Sequence, residues 1–198
     1  MHLLLPYFII LIVVIQLKLR KSSRNDEKSI KKFWERESQA NSVRKKNIDS
    51  LDYITIPRNM EFEKLETSDS DIIKLKTSLL ALRDKKILNL TGYTNTDIKM
   101  EYGVGNLTDL SQYDDNYAEL TRLISNLGKL LIERGYTNAA IELLEYGITC
   151  KTDVSTNYTL LADYYRENNE PEKIKMLTHT AKGLNSINKD VILRKLED

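Results

Sequence analysis

LTRLISNLGKLLIERGYTNAAIELLEYG, residues 120–147, is the stretch whose reading decides the fold. Leu120, Leu123, Ile124, Leu127, Leu130 and Leu131 recur at the spacing of one helical face, so a long helix is expected from about Asp114 through Tyr117 to Arg134. Gly135 suits the left-handed residue that follows a helix and ends it. A second helix follows, with small residues at Ala140 and Gly147 and Leu144 between them. Small side chains let paired helices approach closely, and large ones fill the space between pairs. Shifting the chain by 34 residues aligns Leu127-Gly128, Leu131, Gly135, Ala140, Leu144 and Gly147 with Leu161-Ala162, Tyr165, Asn169, Ile174, Thr178 and Ala181 without a gap.

A helix-turn-helix unit of this period resembles the tetratricopeptide repeat. On the first helix of each unit, Ile124, Leu127, Gly128 and Leu131 match the family pattern, as do Tyr158, Leu161, Ala162 and Tyr165. On the second helix Ala140, Leu144 and Gly147 match fully, whereas Ile174, Thr178 and Ala181 match in part. The departures are Ile174 for the usual Ala, Thr178, and the lack of a closing proline. The resemblance covers about residues 117–186. Its alternative is an ordinary helical bundle whose Leu stripes fall 34 apart. The resemblance implies a groove lined by the first helix of each hairpin, with a protein or peptide partner lying in it. Carried onto this chain, the groove positions are Arg122, Ser125, Asn126, Lys129 and Glu133 in the first unit. In the second they are Thr156, Thr159, Asp163, Arg166 and Glu167. Glu133, Asp163 and Glu167 dilute the positive field that clamping a terminal carboxylate needs, so an internal peptide or a folded partner is implied.

Two such units rarely bury enough apolar surface alone, so capping helices are expected on both sides. Ser68-Asp-Ser-Asp71 starts one, with Ile72, Leu75, Leu79 and Leu82 on its apolar face. Thr94 to Tyr102 reads as a short helix stopped by Gly103, residues 103–113 as irregular, and Lys189 to Leu196 as a last helix. Tyr53-Ile-Thr-Ile-Pro57 reads as extended and 58–68 as a loop that folds back along the body.

The net charge of +1 conceals an asymmetry. From Lys18 to Lys46 there are eleven basic residues against four acidic ones, a net of +7, while residues 47–198 carry −6. Before Lys18 there is no charged residue. Leu3 to Leu17, LLLPYFIILIVVIQL, spans about 23 Å as a helix, against a hydrocarbon core of about 30 Å. A signal peptide wants basic residues before such a run and small residues after it, and a soluble core helix wants a polar stripe. Neither pattern is present, so an uncleaved single-pass anchor is expected. Basic residues retained on the cytoplasmic side would place the N-terminus outside and the body in the cytoplasm.

Ser22 to Ile48 reads as one polar helix capped by Asn25 or Asp26. On it Ile30, Phe33 and Trp34 form an i, i+3, i+4 patch that suits docking on the body or the lipid interface. The basic neck is either attracted to anionic lipid or is a solvated spacer that keeps topology. Segments 33–57 (FWERESQANSVRKKNIDSLDYITIP) and 85–103 (KKILNLTGYTNTDIKMEYG) are similar to a group of membrane-anchored bacterial proteins to which no activity is attached.

The expected architecture is therefore all-α. It comprises a transmembrane anchor (1–19), a basic juxtamembrane helix and extended linker (20–57), a helical capping region (58–113), and a repeat solenoid of two units with its C-terminal cap (114–198). Chemistry is sparse. One Cys and two His exclude an internal disulfide framework, a Cys-rich zinc site and a multi-histidine centre. Tyr102-Gly-Val-Gly105 lacks the Lys-Ser/Thr of a phosphate loop. Asp69 with Asp71, and Asp114-Asp115, read as carboxylates at helix starts. His179 reads as a surface or packing residue, Cys150 as a small packing residue, and Tyr158, Tyr164 and Tyr165 as core filling. No catalytic residue, cofactor, metal or nucleic-acid partner is expected. The expected function is a membrane-anchored adaptor for a protein partner. The alternatives are a self-assembling structural repeat protein, or an accessory subunit or small membrane enzyme with a site in 88–113 around Asp97 or Glu101.

Overall fold

The computed structural model describes Lys18 and residues 27–197, and every regular element among them is helical. The expected anchor, apart from Lys18, lies outside the described residues, as do the proposed caps Asn25 and Asp26. Among the described residues no helix is long and apolar enough to cross a membrane. The chain divides into two compact units, one of residues up to 46 with 94–107 and one of 47–93 with 108–198.

The first unit pairs helix α1 (residues 27–42) with α4 (Asn95–Tyr102). Helix α4 starts where the sequence provides a reciprocal cap. The Thr94 hydroxyl accepts from the Asp97 amide at 3.2 Å, and the Asp97 carboxylate accepts from the Thr94 amide at 2.9 Å. It stops at Gly103, whose φ of +90° is open to glycine, and a Cβ there would lie 2.1 Å from the Arg44 carbonyl oxygen. The two helices meet through polar groups. Lys99, 6% exposed, forms an ion pair with Glu37 and donates to Asn41 Oδ1 at 2.8 Å. Thr96 donates to the same Glu37 carboxylate at 2.7 Å, and Arg36 pairs with Asp97.

The neck helix ends at residue 42 rather than running to Ile48. The reason is that its next residues are used by a different backbone pairing. The Lys46 amide donates to the Tyr102 carbonyl at 3.0 Å, and the Val104 amide donates to the Val43 carbonyl at 3.2 Å. Asn106, fully buried, closes this arrangement by donating to the carbonyls of Lys46 and Tyr102 at 2.9 and 2.7 Å. A helical turn over 43–48 would forfeit the three bonds that Val43 and Lys46 make.

In the second unit the long helix α5 (Leu107–Glu133) begins seven residues before the expected Asp114, so most of the segment read as irregular is helical. Its polar early residues find partners in the extended segment 86–90. The Tyr113 carbonyl accepts from the Leu88 amide at 3.2 Å, and Asn116 donates to the Lys86 carbonyl at 2.8 Å. A short 3₁₀ turn (Val104–Asn106) precedes it. Helix α6 (Thr137–Thr149) returns after Gly135, whose φ is +80°. The two lie close: a Cβ on Gly128 would sit 2.6 Å from Leu144 Cδ2, and one on Gly147 would sit 3.0 Å from Ile124 Cγ2.

A second hairpin follows, α7 (Ser155–Glu167) and α8 (Pro171–Lys182), and α9 (Lys189–Glu197) packs on both of its helices. Helix α6 contacts α7, joining the hairpins. Leu120, Ile124, Leu127, Leu131, Ala140, Leu144, Tyr158, Leu161 and Ala162 are almost wholly buried in one apolar core. Each large aliphatic member contributes about 1.5–3 kcal/mol relative to exposure.

Residues 47–65 fold back on this core, a longer stretch than the 58–68 expected. The Ile54 amide donates to the Ile87 carbonyl at 2.9 Å, and Ile56, Met60 and Phe62 are buried. The loop read over 58–68 contains a one-turn helix, α2 (Glu61–Lys64), which rests on α6. Phe62 explains it: helical geometry turns the ring inward while Glu61 and Lys64 stay exposed. Arg83 holds the strap, pairing with Glu63 at 2.5 Å and donating to the Pro57 carbonyl. Helix α3 (Ser70–Leu80) starts at Asp69, whose carboxylate accepts from the amides of Asp71 and Ile72 and pairs with Arg134 at 2.8 Å.

Two predictions test these contacts. Gly128→Val should lower stability by about 1–3 kcal/mol in urea unfolding followed by circular dichroism, and Leu144→Ala in the same chain should recover part of the loss. Lys99→Met should cost about 3 kcal/mol by stranding the Glu37 carboxylate, and the double change Glu37→Met/Lys99→Met should be closer to wild type than the single one.

Candidate functional site

Helices α5 and α7, with the loop between α6 and α7, frame a cleft of about 430 Å³. Its wall is fixed by Tyr117, 4% exposed, whose hydroxyl donates to the carbonyls of Cys150 and Lys151 at 3.1 and 2.9 Å. Burial pushes the Tyr117 phenol well above its ordinary pKa, so it stays a donor across the physiological range. Lys151, at φ +58°, turns the chain from α6 toward α7. Tyr158 secures the far side of that turn by donating to the Thr152 carbonyl at 3.0 Å.

Four of the ten sequence-predicted groove positions line this cleft: Arg122, Ser125, Asn126 and Thr156. Ser125 lies at its floor, 7% exposed, while Arg122 stands at its edge, held by Glu119 at 2.6 Å. Lys129 and Glu133 continue along α5 beyond the cleft, exposed, with 3.8 Å between their charged groups. On α7, the Thr159 hydroxyl turns back to the Ser155 carbonyl at 3.1 Å. Arg166 approaches Asp163 at 3.3 Å and donates to the Leu196 carbonyl of α9 at 3.0 Å. That end of α7 is engaged by the C-terminal helix, and Glu167 is exposed beside it.

The cleft's two carboxylates, Asp114 and Asp153, were not among the sequence-predicted groove positions. Asp114 could have been found, because it shares the helical stripe of Ala118, Thr121, Arg122 and Ser125; placing the helix start at 114 hid it. It is not a helix-start carboxylate, since α5 begins at Leu107. Asp153 sits in a loop that no periodicity announces. Asp114 accepts from the Leu90 amide at 2.9 Å. Its pKa is nevertheless raised, first by desolvation and then by neighbouring Asp115, with the Leu90 bond opposing. Desolvation therefore makes the charged form of Asp114 costly to stability.

Elsewhere the chemistry is structural. Burial raises the Cys150 thiol, so little of it is thiolate. His179 is exposed at the edge of a 580 Å³ cavity that also reaches Asn89, Cys150 and Asp153. Asp97, offered as a candidate acid in 88–113, is held below the carboxylate range, first by the Thr94 hydroxyl and then by the Thr94 amide. That is the wrong direction for a general acid, and its role is the cap of α4. Glu101 is exposed. Among the described residues no cluster of His, Cys, Asp or Glu could hold a metal ion.

No protein-family model matches the chain, and no curated protein or solved structure is significantly similar to it.

Asp114→Asn keeps an acceptor for Leu90 and removes the charge. A carboxyl whose folded pKa is raised stabilises below its unfolded value, near 3.9, and that contribution is lost as pH rises through the folded value. The variant should therefore melt higher than wild type at pH 7, and the gain should disappear near pH 3.

Proposed function

We propose that this chain is a membrane-anchored, tetratricopeptide-like adaptor that holds a protein or peptide partner in the α5/α7 cleft. The observation that carries the reading is the convergence of Arg122, Ser125, Asn126 and Thr156 on one concavity. Asp114 and Asp153 line the same cleft as Arg122, so the cleft offers both signs of charge. That combination suits an internal peptide segment with a basic side chain near an acceptor-rich stretch. The anchor is the apolar run 3–17, followed by the basic neck, with the body on the cytoplasmic side. The roles of Lys129, Glu133, Thr159, Asp163 and Glu167 are those of a rim, which sets association rate more than affinity.

A second reading, self-assembly, is favoured by a different feature. A groove of about 470 Å³ on the α6/α8 side is lined mainly by apolar atoms of Ile148, Tyr165, Met176 and Leu177, and Met176 is 68% exposed. Such Met-bearing surfaces adapt to protein partners.

Photoreactive residues at Asn126 and at Met176, in the full chain in native membranes, separate the two. A discrete heterologous adduct from Asn126 supports the adaptor. Blanks at Asn126 and Lys129 together count against it. A species of twice the chain mass from Met176 supports self-assembly.

A further inference from the structure

We propose that the Ile30–Phe33–Trp34 face of α1 seats on the surface of an anionic lipid bilayer. This rests on the anchored reading above in one respect: the apolar run 3–17 would bring α1 to the bilayer.

Three observations carry it. Ile30, Phe33 and Trp34 are 57%, 54% and 62% exposed, and the two rings stack edge to face at 5.4 Å. They occupy the same helical stripe as Glu37 and Asn41, at i, i+3, i+4, i+7 and i+11. The distal half of that stripe is docked on α4 through Glu37, Asn41 and Lys99, and the proximal half is bare. An i, i+3, i+4 cluster of one aliphatic and two aromatic residues is far smaller than the 20–30 residues a stable protein interface uses, but it suits insertion at the headgroup boundary.

Charge selects the lipid. The neck carries a net of +7, and Lys28, Lys31 and Lys32 adjoin the patch on the rest of the helix circumference. The acidic residues that interrupt this field are partly spent inside the protein. Glu37 is paired with Lys99 and accepts from Thr96, and Glu35 lies 3.9 Å from Lys31. What faces outward is apolar on one side and mainly basic around it, with Glu27 and Glu35 as the exposed acids, the pattern of helices that lie in an anionic interface. Position agrees: Ile30 follows Leu17 by 13 residues, a reach of about 20 Å as helix.

Trp34 is the chain's only tryptophan, so its fluorescence reports the site directly. The full chain is reconstituted in phosphatidylcholine vesicles with and without phosphatidylglycerol, some bearing brominated acyl chains. Flotation after an alkaline wash reports whether 3–17 inserts. With phosphatidylglycerol, Trp34 emission should shift to the blue, be quenched by lipid bromine and be shielded from acrylamide, and raised salt should weaken all three. Ile30→Glu/Phe33→Glu should abolish them while helical circular dichroism and flotation persist. A chain that floats with Trp34 unquenched by bromine and open to acrylamide overturns the proposal and leaves the anchor intact. Shielding without bromine quenching that fades as protein is diluted in lipid indicates a second copy and overturns it too. If the chain fails to float, the anchor reading falls. Trp34 shielding on phosphatidylglycerol vesicles added from outside would then still support the proposal, and its absence would overturn it.

Discussion

Gly128 leaves no side chain between α5 and α6, and Leu144 occupies the space where one would be. That close approach is what the rest of the second unit depends on. It sets α6 near enough to α5 for Ile124 to meet Gly147, and it delivers the α6–α7 turn to the hydroxyl of Tyr117. With that turn fixed, α7 enters beside α5 and its buried Tyr158, Leu161 and Ala162 complete the core. The cleft is a consequence of this order. A larger residue at 128 would push the hairpin open, and the walls that bring Arg122 and Thr156 to one concavity would part.

The two units are held by different physics. The second is an apolar core in which buried area decides stability and small residues decide spacing. Among the described residues of the first, Ala40 and Ile98 are the buried hydrophobes, and α1 joins α4 through Glu37, Lys99, Asn41 and Thr96. Buried ion pairs add little net stability but punish misalignment, since a shifted register strands a charge. Such a contact specifies where α1 docks. It also leaves the apolar half of the same stripe free for another surface.

The cleft combines a floor of buried hydroxyl and a rim of opposed charges, with Asp114 desolvated at a cost that its single amide bond does not cancel. Stability alone would place an amide there. Within the proposed adaptor reading, a partner's positive group at Asp114 would replace the water lost there.

Much of this was legible in the residues. Thr94, Asp69, Gly103 and Gly135 marked helix ends because capping and left-handed backbone are local chemistry, decided within four residues; Asp97, read as a candidate site residue, completes the Thr94 cap. The Leu stripe of 120–131 and the small residues at 128, 140, 147 and 162 fixed which faces are buried. Three features were not legible, each for a long-range reason. Helix α5 starts at Leu107 because Tyr113 and Asn116 are satisfied by residues 86–88; the neck helix stops at 42 because Tyr102 and Val104 take its next backbone groups; and α2 forms because α6 offers Phe62 a place to bury. The sequence by itself determined the all-α class, the buried faces of the two hairpins and the helix ends at Asp69, Thr94, Gly103 and Gly135, since periodicity and capping depend on near neighbours. Only the tertiary structure decided which polar residues share a cleft and which ion pairs close a unit, since those depend on groups about 60 residues apart, as in Glu37 and Lys99.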